Sequence, residues 1–216
     1  MQGDIRYTLV GDGPTDRCLR AVIDWTLVRD PSARGRGFIP QVADPRDESE
    51  PPQGLKERLR LAFQRFPCEV LFVHRDAERE PLTTRQEEIR RAAEQARIPL
   101  HVPVVPVRMT EAWLLIDERA IRRAADNPSG EEPLPIPPLK RLESVPDPKR
   151  LLHECLIAAS EKRGRRRDQF KRSMSFRVQR VADLIDDFSP LLSLEAYRVL
   201  AEATGQAIAK LASPTA

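Results

Sequence analysis

The sequence predicts an α/β protein with a mainly parallel sheet flanked by helices and a helical extension at its C-terminus. Up to about residue 125, short apolar runs rich in β-branched residues alternate with longer stretches of helical periodicity, the pattern of a parallel sheet. The next segment is rich in proline, and helical periodicity follows it. We therefore predict an α/β domain over residues 1–125, a connector over 126–148 and a helical extension over 149–216.

Four runs have the character of strands. Residues 5–10 form an apolar, β-branched run that ends at a glycine, and residues 69–74 are apolar on both faces, as in a central parallel strand. Residues 38–42 form a short strand inside a predicted loop of residues 30–53. Residues 101–107 form the last strand, which we place at a sheet edge because its two prolines cannot donate ladder hydrogen bonds.

Amphipathic periodicity predicts the helices. They cover residues 15–29, 54–66, 83–97, a stretch from Thr110 through Ile121, then 148–160, about 176–188 and 194–211. Threonine is common as the N-cap residue of a helix, so we expect Thr110 to cap the fourth helix. The apolar face of the C-terminal helices either completes the core or forms an interface in a homo-oligomer.

Composition restricts the classes of protein to be considered. The chain is 40% hydrophobic and 32% charged, as is usual for globular proteins. No apolar run approaches the roughly 20 residues that span a bilayer, and the first residues lack a secretion pattern, so we expect a cytoplasmic protein without a membrane partner. Cys18, Cys68 and Cys155 are too widely spaced to indicate zinc binding or a disulfide framework.

Basic residues are concentrated in residues 162–172. This stretch holds seven bases and one acid, a local charge of +6 in a chain whose net charge is +3. It is either a solvated linker or an arm that contacts the phosphates of nucleic acid. In the second interpretation the nucleic-acid ligands are Arg165, Arg166, Arg167, Lys171 and Arg172.

Acidic residues follow three of the predicted strands. Asp12 follows the first strand, Asp76 and Glu78 follow residues 69–74, and Glu111 follows the last strand. The carboxyl ends of parallel strands meet at one edge of a sheet, where these carboxylates would repel each other unless a cation neutralised them. With carboxylate oxygens as ligands and no nearby cysteine, Mg²⁺ or Mn²⁺ is the expected cation.

Each acidic segment also has an ordinary structural interpretation, as a turn or a helix cap. Asp76 and Glu78 are two residues apart, so strand alternation would point both side chains in one direction, toward a shared cation. His74 ends an apolar strand, and we interpret it as a structural histidine rather than a ligand. Arg75 or Arg108 can stabilise the charge of a bound phosphate.

Residues 9–16, L-V-G-D-G-P-T-D, resemble the V-E-G-x-T-D motif of the TOPRIM superfamily, which includes topoisomerases, primases and the overcoming-lysogenization-defect (OLD) nucleases. The D-A-E of residues 76–78 resembles the later Asp-x-Asp motif of that superfamily. Residues 104–115, V-V-P-V-R-M-T-E-A-W-L-L, resemble a bacterial TOPRIM-like family related to the OLD nucleases that has no assigned function. Two departures stand out, because Asp12 replaces the glutamate and Glu78 replaces the second aspartate.

The resemblance covers residues 4–125 and implies roles for the acidic residues. Asp12 would be a metal ligand or a general acid/base, and Asp76 and Glu78 would be metal ligands. Glu111 would be an additional ligand or would orient one, and Asp16 would cap the first helix or orient a neighbour. By analogy with relatives in antiphage or mobile-element systems, an ABC-type ATPase is a further expected partner.

The function expected from these observations is Mg²⁺-dependent hydrolysis of phosphodiester bonds in DNA or RNA, with Asp12, Asp76, Glu78 and Glu111 as the catalytic group. One alternative is a non-catalytic TOPRIM subunit that binds an ATPase or nucleic acid, which the aspartate at position 12 favours. Another is a small-molecule phosphohydrolase, because the same metal chemistry serves phosphomonoesters.

Overall fold

A computed structural model describes residues 3–44, 52–78 and 80–212 and has an α/β fold built on a parallel sheet. Its strands are β1 (Ile5–Val10), β2 (Phe38–Ala43), β3 (Val70–His74) and β4 (His101–Val104). Their order is β2-β1-β3-β4, and each neighbouring pair is parallel. The predicted fold class is therefore confirmed.

Burial explains the order of the strands. All five residues of β3 are buried, as a central strand requires, and β1 is buried apart from one exposed residue. The outer strands β2 and β4 each contain a proline, Pro40 and Pro103, which sheets accept at their edges. The edge position predicted for residues 101–107 is confirmed, although β4 ends at Val104.

Helices cover both faces of the sheet. They are α1 (Leu19–Arg29), α2 (Gly54–Arg65), α3 (Leu82–Gln95), α4 (Glu118–Ala124), α5 (Pro148–Ser160), α6 (Gly164–Lys171), α7 (Met174–Leu184) and α8 (Glu195–Ala212). Helices α2 and α3 pack with Leu71 and Val73 of β3 on one face. Helices α1, α5, α7 and α8 share the larger core on the opposite face with Val70 and Phe72.

Two predicted helices begin differently. The stretch 15–29 starts as the 3-10 turn Pro14–Cys18 and becomes α-helical only in α1. The continuous helix predicted from Thr110 through Ile121 is wrong, because the chain forms the 3-10 turn Thr110–Leu114 and then α4. The side chain of Asp117 accepts a hydrogen bond from the Ala120 N–H and so caps a separate helix.

The C-terminal helices share their core with the sheet. The ring of Tyr197 on α8 meets the Trp113 ring edge-on at a centroid distance of 5.8 Å and lies 6.3 Å from the Trp25 ring of α1. Its hydroxyl lies 2.8 Å from Thr26 Oγ1 in the interior. Two roles were predicted for these helices, completion of the core or an oligomer interface. The structure shows that they complete the core.

Three segments predicted without helices contain short ones. The proline-rich connector includes the 3-10 turn Leu139–Ser144, which buries Leu142. The interpretation of residues 162–172 as a linker is wrong, because most of the stretch forms α6. The predicted loop of residues 30–53 contains the 3-10 turn Pro31–Ala33 and β2, and its residues 45–51 lie outside the described ranges. Among the described residues, no helix is both long and apolar enough to cross a membrane.

Candidate functional site

The loop after β1 is organised by the carboxylate of Asp16. This carboxylate is buried, and one of its oxygens, Oδ2, accepts hydrogen bonds of 2.7 Å from the backbone N–H groups of Asp12 and Gly13. Gly13 is the N-cap residue of the 3-10 turn, so Asp16 has the capping role that the sequence predicts. A Cβ atom at Gly11 would lie 2.8 Å from the Cβ of Asp16, so the loop can approach this closely only with glycine at position 11.

His74 lies at the centre of the acidic residues. It is fully buried at the end of β3, and its Nδ1 lies 3.1 Å from the carbonyl oxygen of Val104, which can only accept a hydrogen bond. Its Nε2 therefore faces the other side, 3.4 Å from Asp76 Oδ1 and 3.7 Å from Asp16 Oδ2. Nε2 thus contacts two carboxylates that follow different strands.

Asp76 is the most perturbed carboxylate of this group. Its Oδ1 is buried, lies 3.4 Å from His74 Nε2 and forms no hydrogen bond with a described residue. Burial, reinforced by the charges of Asp16, Glu111 and Asp12, raises the pKa of Asp76 to about 6, although His74 opposes the shift. This position is therefore one where added positive charge would be favourable.

Glu111 approaches the same group from the 3-10 turn after β4. Its side chain is buried, and burial raises its pKa, with Lys149 of α5 acting in the opposite direction. The neighbouring Thr110 was predicted to be a helix cap, which is wrong because Met109 holds the N-cap position without a side-chain bond. Thr110 Oγ1 instead lies 3.4 Å from His74 Nε2.

Asp12 is at the same edge of the sheet, but arginines hold it. Its carboxylate is paired with Arg58 of α2, and its Oδ2 lies 3.4 Å from Nε of Arg75. Arg75 also lies 3.3 Å from Glu88, so its guanidinium is shared between two carboxylates and is not free for a phosphate. A cation at Asp12 must therefore compete with two guanidinium groups.

Glu78 does not lie beside Asp76 as strand alternation predicted. Strand β3 ends at His74, and Glu78 adopts a left-handed backbone conformation with φ of 53°, so the period of two does not extend to it. Its side chain is 69% exposed and lies 3.6 Å from Arg85 of α3. The geometric argument that gave Glu78 a share in the site is therefore wrong.

Only some of the predicted metal ligands lie together. Within residues 3–44, 52–78 and 80–212, no three His, Cys, Asp or Glu side chains are grouped so that they could hold an ion. Asp76 nevertheless fits a hard cation, since it offers a buried oxygen that forms no hydrogen bond with a described residue and lies within electrostatic reach of the buried Glu111. Asp12 could bind a cation only after its ion pair with Arg58 is broken. Glu78 is exposed and does not fit such a site.

The predicted basic residues lie in two different places. Arg108 adopts φ of 64°, and its backbone carbonyl accepts a hydrogen bond from the Glu78 N–H, so it borders the acidic group. It forms no ion pair with a described residue. The other predicted residues, Arg165, Arg166, Arg167, Lys171 and Arg172, are exposed on α6 or directly after it.

Sequence reasoning missed two contributors to this edge. The buried ring of His74 and its contact with the Val104 carbonyl agree with its interpretation as a structural histidine, but its contacts with both carboxylates were not predicted, although it lies two residues before Asp76. Arg58 was not considered, because its ion pair joins α2 to a loop 46 residues earlier and no local pattern marks it.

In the comparisons with known proteins, no family model, curated protein or solved structure matches this chain. What describes this protein is thus its own structure: an α/β fold with a group of acidic residues at the carboxyl edge of its parallel sheet.

Proposed function

We propose that the acidic edge formed by Asp12, Asp76 and Glu111 binds Mg²⁺ or Mn²⁺ and hydrolyses phosphodiester bonds in DNA or RNA. The observation that carries this proposal is the buried Oδ1 of Asp76, which forms no hydrogen bond with a described residue, together with the raised pKa of that carboxyl group. A strongly perturbed carboxyl group where strands of a parallel sheet end is typical of a functional site. The resemblance of residues 9–16 and 76–78 to the TOPRIM motifs supports the same chemistry.

Asp76 and Glu111 would hold the cation, joined by Asp12 once it exchanges its arginine partners for the ion. When bound, the cation would activate a water molecule and stabilise the charge that develops on the leaving oxygen. Asp16 keeps the backbone of Asp12 and Gly13 in place through its two hydrogen bonds. Arg108, which has no carboxylate partner among the described residues, would contact the scissile phosphate.

His74 would position Asp76 rather than react itself. Its Nδ1 is held by the Val104 carbonyl at 3.1 Å, which fixes the direction in which Nε2 points. Nε2 lies 3.4 Å from Asp76 Oδ1 and 3.7 Å from Asp16 Oδ2, so the fixed ring would limit the positions that both carboxylates can take.

One observation favours a second function, a non-catalytic subunit that binds an ATPase or nucleic acid. Asp12 is paired with Arg58 and Arg75, and Glu78 is paired with Arg85, so two of the predicted ligands are engaged by arginines. Arginine pairs in place of a cation would neutralise this edge permanently. In that case the protein would need no metal and would cut nothing.

Cleavage of labelled plasmid, single-stranded DNA and tRNA in Mg²⁺ or Mn²⁺ tests the proposal. We expect wild-type activity that disappears in Asp76→Asn and persists in the control Asp186→Asn, which changes a carboxylate that is 94% exposed. Equal activity in wild type and Asp76→Asn would refute the assignment of the site. Absence of cleavage by the wild type on every substrate would instead support the non-catalytic subunit.

A further inference from the structure

Basic side chains are concentrated at the exposed surface of helix α6. We call the following six exposed residues, on α6 or flanking it, the basic surface: Arg163, Arg165, Arg166, Arg167, Lys171 and Arg172. None of the six forms an ion pair with a described residue. Arg60, Arg90 and Arg91, in contrast, are each paired with a glutamate on their own helix.

The basic surface is not explained by the stability of α6. The first turn of this eight-residue helix holds no acidic residue, and its N-cap residue Arg163 makes no capping bond through its side chain. Positive charges near a helix N-terminus oppose the helix dipole, and adjacent arginines repel each other. The helix is anchored by Phe170, which is buried beneath Lys162 and Arg177 at 4.9 Å from each. The exposed bases therefore lower the local stability, and a ligand of opposite charge would offset this loss.

An exposed aromatic ring lies at the start of α7, just after α6. Phe176 of α7 is 62% exposed, one of the few large apolar side chains at the surface of the described residues. The guanidinium of Arg177 lies 4.9 Å from the Phe170 ring and 5.8 Å from the Phe176 ring, so Phe176 is close to α6. Basic residues combined with an exposed ring are the elements that bind single strands, through phosphate contacts and base stacking.

We propose that the basic surface and Phe176 together bind single-stranded nucleic acid without sequence preference. Arginine and lysine would contact successive phosphates, and Phe176 would stack on one base. An anionic membrane fits less well, because an interfacial helix needs an apolar face and the one apolar residue of α6, Phe170, is buried. A duplex would hide the faces of its bases from Phe176.

This proposal does not rest on the proposed chemistry. Lys149, in the first turn of α5, is near Glu111 of the acidic edge, whereas α6 begins beyond the opposite end of α5. A 13-residue helix spans about 20 Å, so α6 begins about that far along α5 from Lys149. Binding can therefore be measured in EDTA, where no metal-dependent step takes place.

The experiment is fluorescence anisotropy of labelled 15-nucleotide oligothymidine and oligouridine in EDTA over a range of salt concentrations. The test variant is Arg165→Gln/Arg166→Gln/Arg167→Gln, and the control Arg60→Gln/Arg90→Gln/Arg91→Gln removes the same charge from paired arginines. We expect the test variant to lose at least tenfold in affinity and its log–log salt slope to become shallower by about 2, since each phosphate contact contributes about 0.7. The control should bind like the wild type.

Stacking is tested separately with Phe176→Ala, whose side chain is too exposed to be needed for folding. We expect about a tenfold loss on the single strands and no change on a 15-base-pair duplex. Equal losses in the arginine test variant and its control, or wild-type binding to phosphatidylserine vesicles but not to the oligonucleotides, would overturn the proposal. So would a preference for the duplex, or full single-strand binding by Phe176→Ala. Asp76→Asn should bind like the wild type, so loss of cleavage and loss of binding remain distinguishable.

Discussion

His74 Nε2 and Asp76 Oδ1 lie 3.4 Å apart at the carboxyl end of β3, with Asp16 Oδ2 3.7 Å from the same nitrogen. This relationship joins the loop after β1 to the end of β3 and puts the acidic group around a buried imidazole. It also leaves Asp76 Oδ1 without a hydrogen bond to a described residue. A buried carboxylate oxygen without a hydrogen bond is stabilised by a proton or by a cation. The effect of each can be measured.

Asp76 should make the protein less stable as the pH rises. Its folded-state pKa of about 6 lies above the ordinary 3.8, so the folded state holds the proton more tightly and stability is lost as the pH rises through 6. The full shift corresponds to about 3 kcal/mol, which solvent screening reduces to about 1–2 kcal/mol because a third of the side chain is exposed. In EDTA, Asp76→Asn should therefore raise the free energy of unfolding by that amount at pH 7.5 and change it little at pH 4.

Urea denaturation of both proteins at pH 4, 5, 6 and 7.5 measures this effect. If Asp76→Asn lowers the free energy of unfolding equally at every pH, the carboxylate of Asp76 is not destabilised by its surroundings.

Arg58 should compete with a cation for Asp12. The substitution Arg58→Gln removes one of the two guanidinium groups paired with Asp12, so we expect Mg²⁺ to bind several-fold more tightly. Calorimetric titration with Mg²⁺ measures the affinity. Arg60→Gln on the same helix is the control, because Arg60 pairs with Glu57 and should leave the affinity unchanged. Unchanged or weaker Mg²⁺ binding by Arg58→Gln would contradict the role of Asp12 as a ligand.

Gly11→Ala should disturb the loop after β1. The new Cβ would lie 2.8 Å from the Cβ of Asp16 and displace the carboxylate that bonds the N–H groups of Asp12 and Gly13. We expect thermal denaturation to show a loss of about 1–3 kcal/mol. Gly13→Ala is the matched control, because its Cβ would be 3.9 Å from the nearest atom and should cost less than about 0.5 kcal/mol. Similar losses in the two variants would refute the packing argument.

Tyr197→Ala should destabilise the sheet and the C-terminal helices together. It removes a buried ring that contacts both Trp25 and Trp113, with an expected loss of about 3–5 kcal/mol. Tryptophan fluorescence and far-ultraviolet circular dichroism should report one shared transition at lower denaturant. Leu192→Ala, at a half-exposed position, should shift it little. Separate transitions by the two methods would mean that the C-terminal helices unfold independently.

The strands and most of the helices could be predicted from the sequence, because the periodicity of apolar residues is a local property of each segment. The limits of β1 and α5 agree with the predicted residues, and β3 differs by one residue. The break between Thr110 and α4 was missed, because a capping aspartate, Asp117, restarts the helix inside an otherwise helical pattern. Helix α6 was missed because its run of bases has little amphipathic character to indicate a helix.

The acidic edge was predictable only in outline. Strand order brings Asp12, Asp76 and Glu111 to one edge, which follows from any parallel sheet with these connections. The pairing of Asp12 with Arg58 depends on how α2 packs, and the position of Glu78 depends on where β3 ends. Neither is encoded in a local pattern, so the predicted set of ligands was larger than the set that the fold brings together.

Calorimetric titration of the wild type, Asp76→Asn and Glu78→Gln with Mg²⁺ tests the central claim most directly. The account predicts that the wild type and Glu78→Gln bind Mg²⁺ with the same affinity and that Asp76→Asn does not bind it. Equal binding by all three proteins, or loss of binding in Glu78→Gln alone, would contradict the assignment of the cation to Asp76.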